Sequence, residues 1–202
     1  GLKLYLSEDT LDPRQDTELI PEIALKSLPK DFSGTILDLG TGSGCIALAL
    51  LSEFPQLHCI AIDKSFSAVC QARYNAIMNH LDSRFHGVCS DWTSPIKGRF
   101  PLIVSNPPYI KRSDLTNLDE NVREFDPKLA LDGGESGFDS LKKIFSSIKK
   151  HLLPGGMALI EIGFDQSAES ERLIEKHGLT MRNVHLDSAG IPRVVEISYG
   201  DK

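Results

Sequence analysis

Two hydrophobic rhythms alternate along most of this chain. Short runs rich in Ile, Leu and Val, at 35–39 (TILDL), 57–63 (LHCIAID), 84–90 (RFHGVCS), 101–106 (PLIVSN) and 157–162 (MALIEI), are separated by stretches of helical period at 44–53, 65–80, 139–152 and 165–177. Near-continuous apolar runs suit strands buried on both faces, and a helix between successive strands lets each strand return parallel to the last. The last helical stretch opens at Asp165 and stops at a C-cap glycine, Gly178, after which the rhythm changes. Residues 179–187 (LTMRNVHLD) and 193–199 (RVVEISY) are joined by the short SAGIP and read as a β-hairpin. The expected fold is therefore α/β and Rossmann-like, a seven-stranded, mostly parallel sheet closed by a C-terminal antiparallel hairpin. The dinucleotide fold usually has six strands, all parallel.

With 202 residues, 41% of them apolar, the chain has material for one domain with a substantial core. Residues 1–28 read as an N-terminal connecting segment and helix, and 29–202 as the main domain. In the first segment Asp16 or Thr17 is placed to cap a helix running to about Leu28, with Glu18 in its first turn. No stretch approaches the roughly 18 uninterrupted apolar residues of a membrane span, and residues 1–20 lack the basic start and apolar core of a signal peptide. A soluble, cytoplasmic protein is expected. Cys45, Cys59, Cys70 and Cys89 form no C-x-x-C pair, and at least three fall in segments that read as buried, so reduced packing residues are expected. The histidines show no ligand spacing, and no metal site is expected. A net charge of −6 argues against a protein that grips phosphate backbones, although Arg14, Lys111 and Arg112 can form a local basic patch.

Chemistry concentrates at the ends of the first four apolar runs. LDLGTGSGCIALAL (37–50) passes from strand through alternating glycines, Gly40, Gly42 and Gly44, into an apolar helix. Glycines there allow unusual backbone angles and close approach of a ligand to the main chain. Counted from Gly42 the string satisfies G-x-G-x-x-A, so a nicotinamide cofactor stays open; counted from Asp38 it is D-x-G-x-G-x-G, the form typical of S-adenosylmethionine loops, with Thr41 and Ser43 between the glycines. The second run ends in Asp63, a carboxylate placed to accept ribose hydroxyls. The third ends in Asp91 and Trp92, a hydrogen-bonding acid beside an aromatic plane; stacking of that plane on adenine is worth about 1 kcal/mol.

The fourth run ends in VSNPPYI (104–110). Pro107 and Pro108 carry no N–H and keep the chain extended, so the corner offers carbonyl acceptors without donors. Asn106 adds a side-chain oxygen and Tyr109 an aromatic face. The polar stretch 111–139 that follows is long for a connection in a compact domain, and the apolar residues of EFDPKLAL favour a structured loop near the site.

Taken together, PRQDTE (13–18), DLGTGSG (38–44), NPPYI (106–110), EFDPKLALDGG (124–134), LPGG (153–156) and EIGFDQ (161–166) resemble the bacterial PrmC/HemK family of release-factor glutamine methyltransferases, over most of the chain. NPPY alone is shared with methyltransferases of adenine or guanine amines; the FDPKLALDGGESG string is more particular to glutamine methyltransferases. The chain departs from the family's usual proline at Gln15, and it begins at Gly1, nearly at the catalytic domain, so the helical N-terminal domain of family members is expected to be absent from it.

The resemblance implies a class I S-adenosylmethionine-dependent fold. S-adenosyl-L-methionine would be held by Gly40, Thr41, Gly42, Ser43, Gly44, Asp63, Asp91, Trp92 and Asn106. The substrate would be the glutamine of the GGQ loop of peptide chain release factors, held by Asn106, Pro107, Pro108 and Tyr109, with Asn106, Pro107 and Tyr109 carrying the catalysis. A monomer without direct nucleic-acid binding is expected. A ribosomal-protein glutamine, an adenine N6 in DNA, a nicotinamide-dependent oxidation, or binding without chemistry stay open as alternatives.

Overall fold

The structure, a computed structural model, describes residues 1–8, 10–13 and 15–200. Strands β1 (Gly34–Leu39), β2 (Leu57–Asp63), β3 (Phe85–Cys89), β4 (Phe100–Ser105), β5 (Leu152–Glu161), β6 (Thr180–Leu186) and β7 (Pro192–Ser198) form a 7-stranded sheet in the order β3-β2-β1-β4-β5-β7-β6. The first five are parallel, and β7 runs antiparallel to both β5 and β6. The helices are α1 (Leu19–Ser27), α2 (Cys45–Glu53), α3 (Phe66–Met78), α4 (Glu120–Phe125), α5 (Lys128–Leu131), α6 (Asp139–His151) and α7 (Ser167–Lys176).

Both faces of the sheet are covered, as the apolar runs require. Along β2, Leu57, Cys59 and Ala61 join one core with Ile20, Ile46, Leu50 and Ala72 from α1, α2 and α3. Ile60 and Ile62 point to the other, with Leu141, Ile144, Phe145 and Ile148 of α6 and Ile174 of α7. The α6 residues recur at helical spacing and are fully buried. Burial of those four contributes about 6–12 kcal/mol as an upper figure. The chain turns to β2 on one side of β1 and to β4 on the other, so the switch in winding direction falls between β1 and β4. Open sheets of this kind bind ligands at the carboxyl ends of the strands beside such a switch.

Several boundaries differ from the sequence reading. LPGG lies inside β5, because that strand starts at Leu152 and carries a bulge: the register jumps from Phe100↔Leu152 to Leu102↔Met157. Gly155 turns out at φ +74 and its N–H donates to the Tyr199 carbonyl at 3.0 Å. Helix α7 opens at Ser167, and Asp165 pairs with Lys111 at 3.4 Å instead of capping it. Its C-terminal end follows the expected glycine signal, with Gly178 at φ +67 and N–H groups of Gly178 and Leu179 donating back to Glu175 and Ile174.

At the N-terminus a 3-10 turn (Gln15–Glu18) precedes α1, and Glu18 occupies the N-cap position without a side-chain cap hydrogen bond; the side chain of Asp16, one of the two expected caps, lies outside the described residues. Only Cys59 is buried. Cys45 is half-buried, and Cys70 and Cys89 are exposed, because β3 is the sheet edge and α3 covers it with one face only. Burial pushes the Cys59 thiol well above its ordinary range. No helix among the described residues is long and apolar enough to cross a membrane.

Candidate active site

A cleft opens at the carboxyl ends of β1, β2 and β4. Its walls include Gly40, Thr41, Gly42, Ser43, Asp63, Asp91, Trp92, Asn106 and Pro108, so most residues singled out from sequence meet in one place. Gly44 stands just behind as the N-cap of α2. The loop is shaped by backbone conformations that only glycine adopts cheaply: Gly40, Gly42 and Gly44 have φ +74, +53 and +84. At Gly42 an added Cβ would meet no atom within 4 Å, so this stretch of main chain is open to the cleft.

Hydrogen bonds from the first two strands fix the loop. The N–H groups of Gly40 and Thr41 both donate to the Ile62 carbonyl, at 2.8 and 2.9 Å. Asp63 accepts from Gly42 N–H through Oδ2 and from Ser65 N–H through Oδ1, each at 2.9 Å. Each oxygen keeps a second lone pair, so Asp63 can prop the loop and accept ligand hydroxyls together. Asp38 is fully buried behind the loop, where Thr41 Oγ1 donates to its Oδ2 at 2.7 Å. Burial lifts its carboxyl from 3.8 to about 7, with Thr41 opposing and the charge of Asp63 adding.

Asn75, buried on α3, donates to the Ser43 carbonyl at 2.9 Å and brackets the main chain of Tyr5 through Oδ1 and Nδ2. Nothing in the sequence marked it, since an asparagine inside a helix carries no periodic signal. Trp92, at φ +52, places ring carbons 3.8 and 3.9 Å from where a Gly40 Cβ would stand, forming one cleft wall. Asp91 sits at the rim, 3.4 Å from Lys143.

The corner after β4 divides two cavities. Pro108 lines the cleft, while Pro107 and Tyr109 line a second cavity with Leu11, Leu118 and Glu161; the alternation follows from the extended backbone. Asn106 lines both. Its Nδ2 donates to Thr17 Oγ1 at 3.0 Å, and its Oδ1 accepts from no group among the described residues. The Tyr109 hydroxyl donates to Oε1 of the buried Glu161 at 3.0 Å.

The stretch 111–139 folds as a 3-10 turn (Arg112–Asn117), α4 and α5, and its base is closed where Ile110 bridges Asp132. Pro127, Leu129 and Ala130 bring it onto the cleft wall. Gly133 and Gly137 pack on the corner itself: a Cβ at Gly137 would stand 2.6 Å from the Tyr109 carbonyl. Gln166 ties these parts together, accepting from Gly163 N–H at 2.8 Å and donating to the carbonyls of Tyr109 and Gly137 at 3.1 Å each. Gln166, Glu161 and Thr17 all belong to strings noticed in the sequence, yet their contacts cross 57, 52 and 89 residues, so no local spacing reports them.

Two of the three cations read as a local basic patch are each paired with an acid. Lys111 pairs with Asp165, and Arg112 Nε donates to Asp132 at 2.9 Å. Asp132 is held below the usual carboxylate range, chiefly by the Gly134 N–H and also by Arg112. Arg14 lies outside the described residues.

Solved structures share this architecture: a ribosomal protein L11 methylase from Lactobacillus delbrueckii subsp. bulgaricus (TM-score 0.70, 17% identity, 93% of this chain and 81% of that one) and the glycopeptide N-methyltransferase MtfA (TM-score 0.60, 16% identity, 98% and 96%). The strand order, with its antiparallel β7 and the glycine loop after β1, defines the chain as a class I methyltransferase fold. The methyltransferase small domain model matches residues 14–125.

The chain belongs to the release factor glutamine methyltransferase family. A curated relative of that name from Agrobacterium fabrum is 42% identical over 199 residues, covering 96% of this chain and 69% of the relative. Another from Rhodospirillum rubrum is 42% identical over 190 residues, covering 94% and 58%.

Proposed function

We propose that this chain transfers a methyl group from S-adenosyl-L-methionine to the side-chain amide nitrogen of the glutamine in the GGQ motif of peptide chain release factors. The observation that carries the reading is the place of Asn106 on the wall between the cleft and the second cavity, with its oxygen uncommitted. The family's name supports the substrate.

The cleft residues fit the cofactor. Open main chain at Gly42, the carboxylate of Asp63 and the indole of Trp92 suit a nucleoside, while Asp63, Asp91 and Asp132 set an acidic lining against Lys64 and Lys143. Gly40 to Gly44, Asp63, Asp91 and Trp92 would grip it, and Asn106, on the cleft wall, would border it without carrying its affinity. When bound, it supplies an electrophilic methyl group on a positively charged sulfur.

An amide nitrogen is a poor nucleophile because its lone pair is delocalised into the carbonyl, so placement and charge stabilisation are what the protein contributes. Asn106 Oδ1 and the Pro107 carbonyl are two acceptors for the two hydrogens of a primary amide. Pro107 and Pro108 have no N–H to compete for the substrate oxygen. Alignment of this kind supplies up to roughly 7–11 kcal/mol of barrier lowering in favourable systems. The same acceptors stabilise positive charge as it builds on the nitrogen, without reorganising. As the N–C bond forms the S–C bond would break to leave a neutral thioether, and the strongly acidic N-methylated amide gives up its proton to water without a strong general base. Glu161 holds the Tyr109 ring at the cavity wall, where the planar amide can pack.

In this reading residues 29–202 are the catalytic domain and 1–28 lead into it. The protein works in the cytoplasm as a monomer whose partner is a release factor, with no direct nucleic-acid contact. Asn106→Ala tests it: calorimetry with S-adenosylhomocysteine should give a Kd within about threefold of wild type, while methylation of a release factor falls by about 100-fold or more. Near-normal turnover in that variant would sink the mechanism.

A further inference from the structure

Thr17 stands in PRQDTE, a string whose local reading is a helix cap. The fold uses it differently. It sits in the 3-10 turn before α1, is 5% exposed, and lines the cleft, and its hydroxyl oxygen reaches Asn106 across 89 residues of sequence. Among the described residues Thr17 Oγ1 is the one polar atom bonded to the Asn106 side chain.

A primary amide is nearly symmetric in shape and opposite in chemistry at its two ends: the oxygen accepts and the NH2 donates. Asn106 serves a donating substrate only when its oxygen faces that substrate and its χ angles hold it there. A half-buried asparagine with no anchor rotates about its terminal torsion over a broad, two-fold range. In this structure the Nδ2 end is committed to Thr17 and the Oδ1 end is left free. The anchor comes from α1's approach rather than from the corner, and α1 is itself seated in the core by Ile20, Ile23 and Ala24. The place of the amide is therefore tied to a packed element as well as to the strand-end loop that carries it.

We infer that Thr17 is a positioning residue for the methyl transfer, holding the Asn106 amide with its oxygen toward the substrate. The inference rests on the function proposed above, and its test separates the two.

Thr17→Val keeps the shape of the side chain and removes the acceptor; Thr17→Ser keeps the acceptor. In Thr17→Val, kcat should fall roughly 10- to 100-fold with the Kd for S-adenosylhomocysteine within about threefold, and Thr17→Ser should restore kcat to within about threefold. In parallel, the 15N-correlated side-chain amide signals of Asn106, identified by their loss in Asn106→Asp, should move in Thr17→Val and stay in Thr17→Ser. Thr17→Ala removes the same oxygen without adding a methyl group, and gives the same readings where valine disturbs the fold.

A kcat within about twofold of wild type in the valine and alanine variants overturns the inference. So does a loss confined to cofactor affinity, which would make Thr17 part of the cofactor's grip. Unmoved Asn106 signals overturn it independently of any activity. A wild-type protein that leaves the release factor unmethylated would instead bring down the proposed function, while the amide signals still decide whether Thr17 holds Asn106.

Discussion

Gln166→Leu should be among the most damaging substitutions available outside the apolar core. The side chain is 2% exposed and serves three backbone groups: the N–H of Gly163 and the carbonyls of Tyr109 and Gly137. Leucine fills nearly the same volume, so little of the effect comes from a cavity. What changes is that one donor and two acceptors lose their partner in a buried place. Each such group costs about 1–3 kcal/mol. Water entering beside the 133–137 turn would relieve part of the sum, which leaves about 3–5 kcal/mol, a large share of a total stability of about 5–15 kcal/mol. Equilibrium urea unfolding measures this as a lower midpoint at unchanged m.

Because the bond to Tyr109 also holds the acceptor corner, kcat measured without denaturant should fall with it. Gln166→Glu sharpens the test. Its ionised carboxylate would face two carbonyl oxygens, whereas the protonated acid can donate to one of them. The native state thus binds the proton more tightly than the unfolded chain, and the variant should lose stability as pH rises from 5 to 8, relative to wild type. A loss of less than about 1 kcal/mol in Gln166→Leu, or a pH-independent defect in Gln166→Glu, would refute the brace.

Asp38→Asn removes a buried charge and keeps an acceptor for Thr41. Its carboxyl is raised from 3.8 to about 7, chiefly by burial, so the folded state holds the proton between those values and wild-type stability falls as pH rises through that window. Above it the buried charge costs up to about 4 kcal/mol. Urea midpoints should show the asparagine variant gaining on wild type from pH 5 to pH 8; a constant difference would contradict the assignment. Gly42→Ala should cost only about 1–2 kcal/mol of stability, for φ +53 in an L residue with open space around the new Cβ. Its affinity for S-adenosylhomocysteine should drop by more than tenfold, because the methyl group stands where the main chain meets the cleft; unchanged affinity by calorimetry would count against the loop as the binding surface.

The sheet was legible in the sequence because strands buried on both faces leave uninterrupted apolar runs, and because β6 and β7 break the helical rhythm with only SAGIP between them. Most of the cleft was legible for a related reason: strand ends are local features, and Gly40, Asp63, Asp91 and Asn106 each follow their own run. What escaped reading depends on contacts between distant segments. Thr17 looked like a cap because hydroxyls before helices commonly are, yet its oxygen is taken by Asn106. LPGG read as a break, whereas β5 absorbs it as a bulge tied to Tyr199. Cys70 and Cys89 lie in a helix and a strand as expected, but an edge position leaves them exposed. Glycines of the GGESG stretch carry no sign that their missing side chains make room for the Tyr109 backbone.

The most direct measurement is mass spectrometry of a peptide chain release factor incubated with the protein and S-adenosyl-L-methionine. One added methyl, mapped by fragmentation to the side chain of the GGQ glutamine and lost with Asn106→Ala, is the predicted result. An unmodified glutamine, or a methyl group carried on any other residue, would contradict the account.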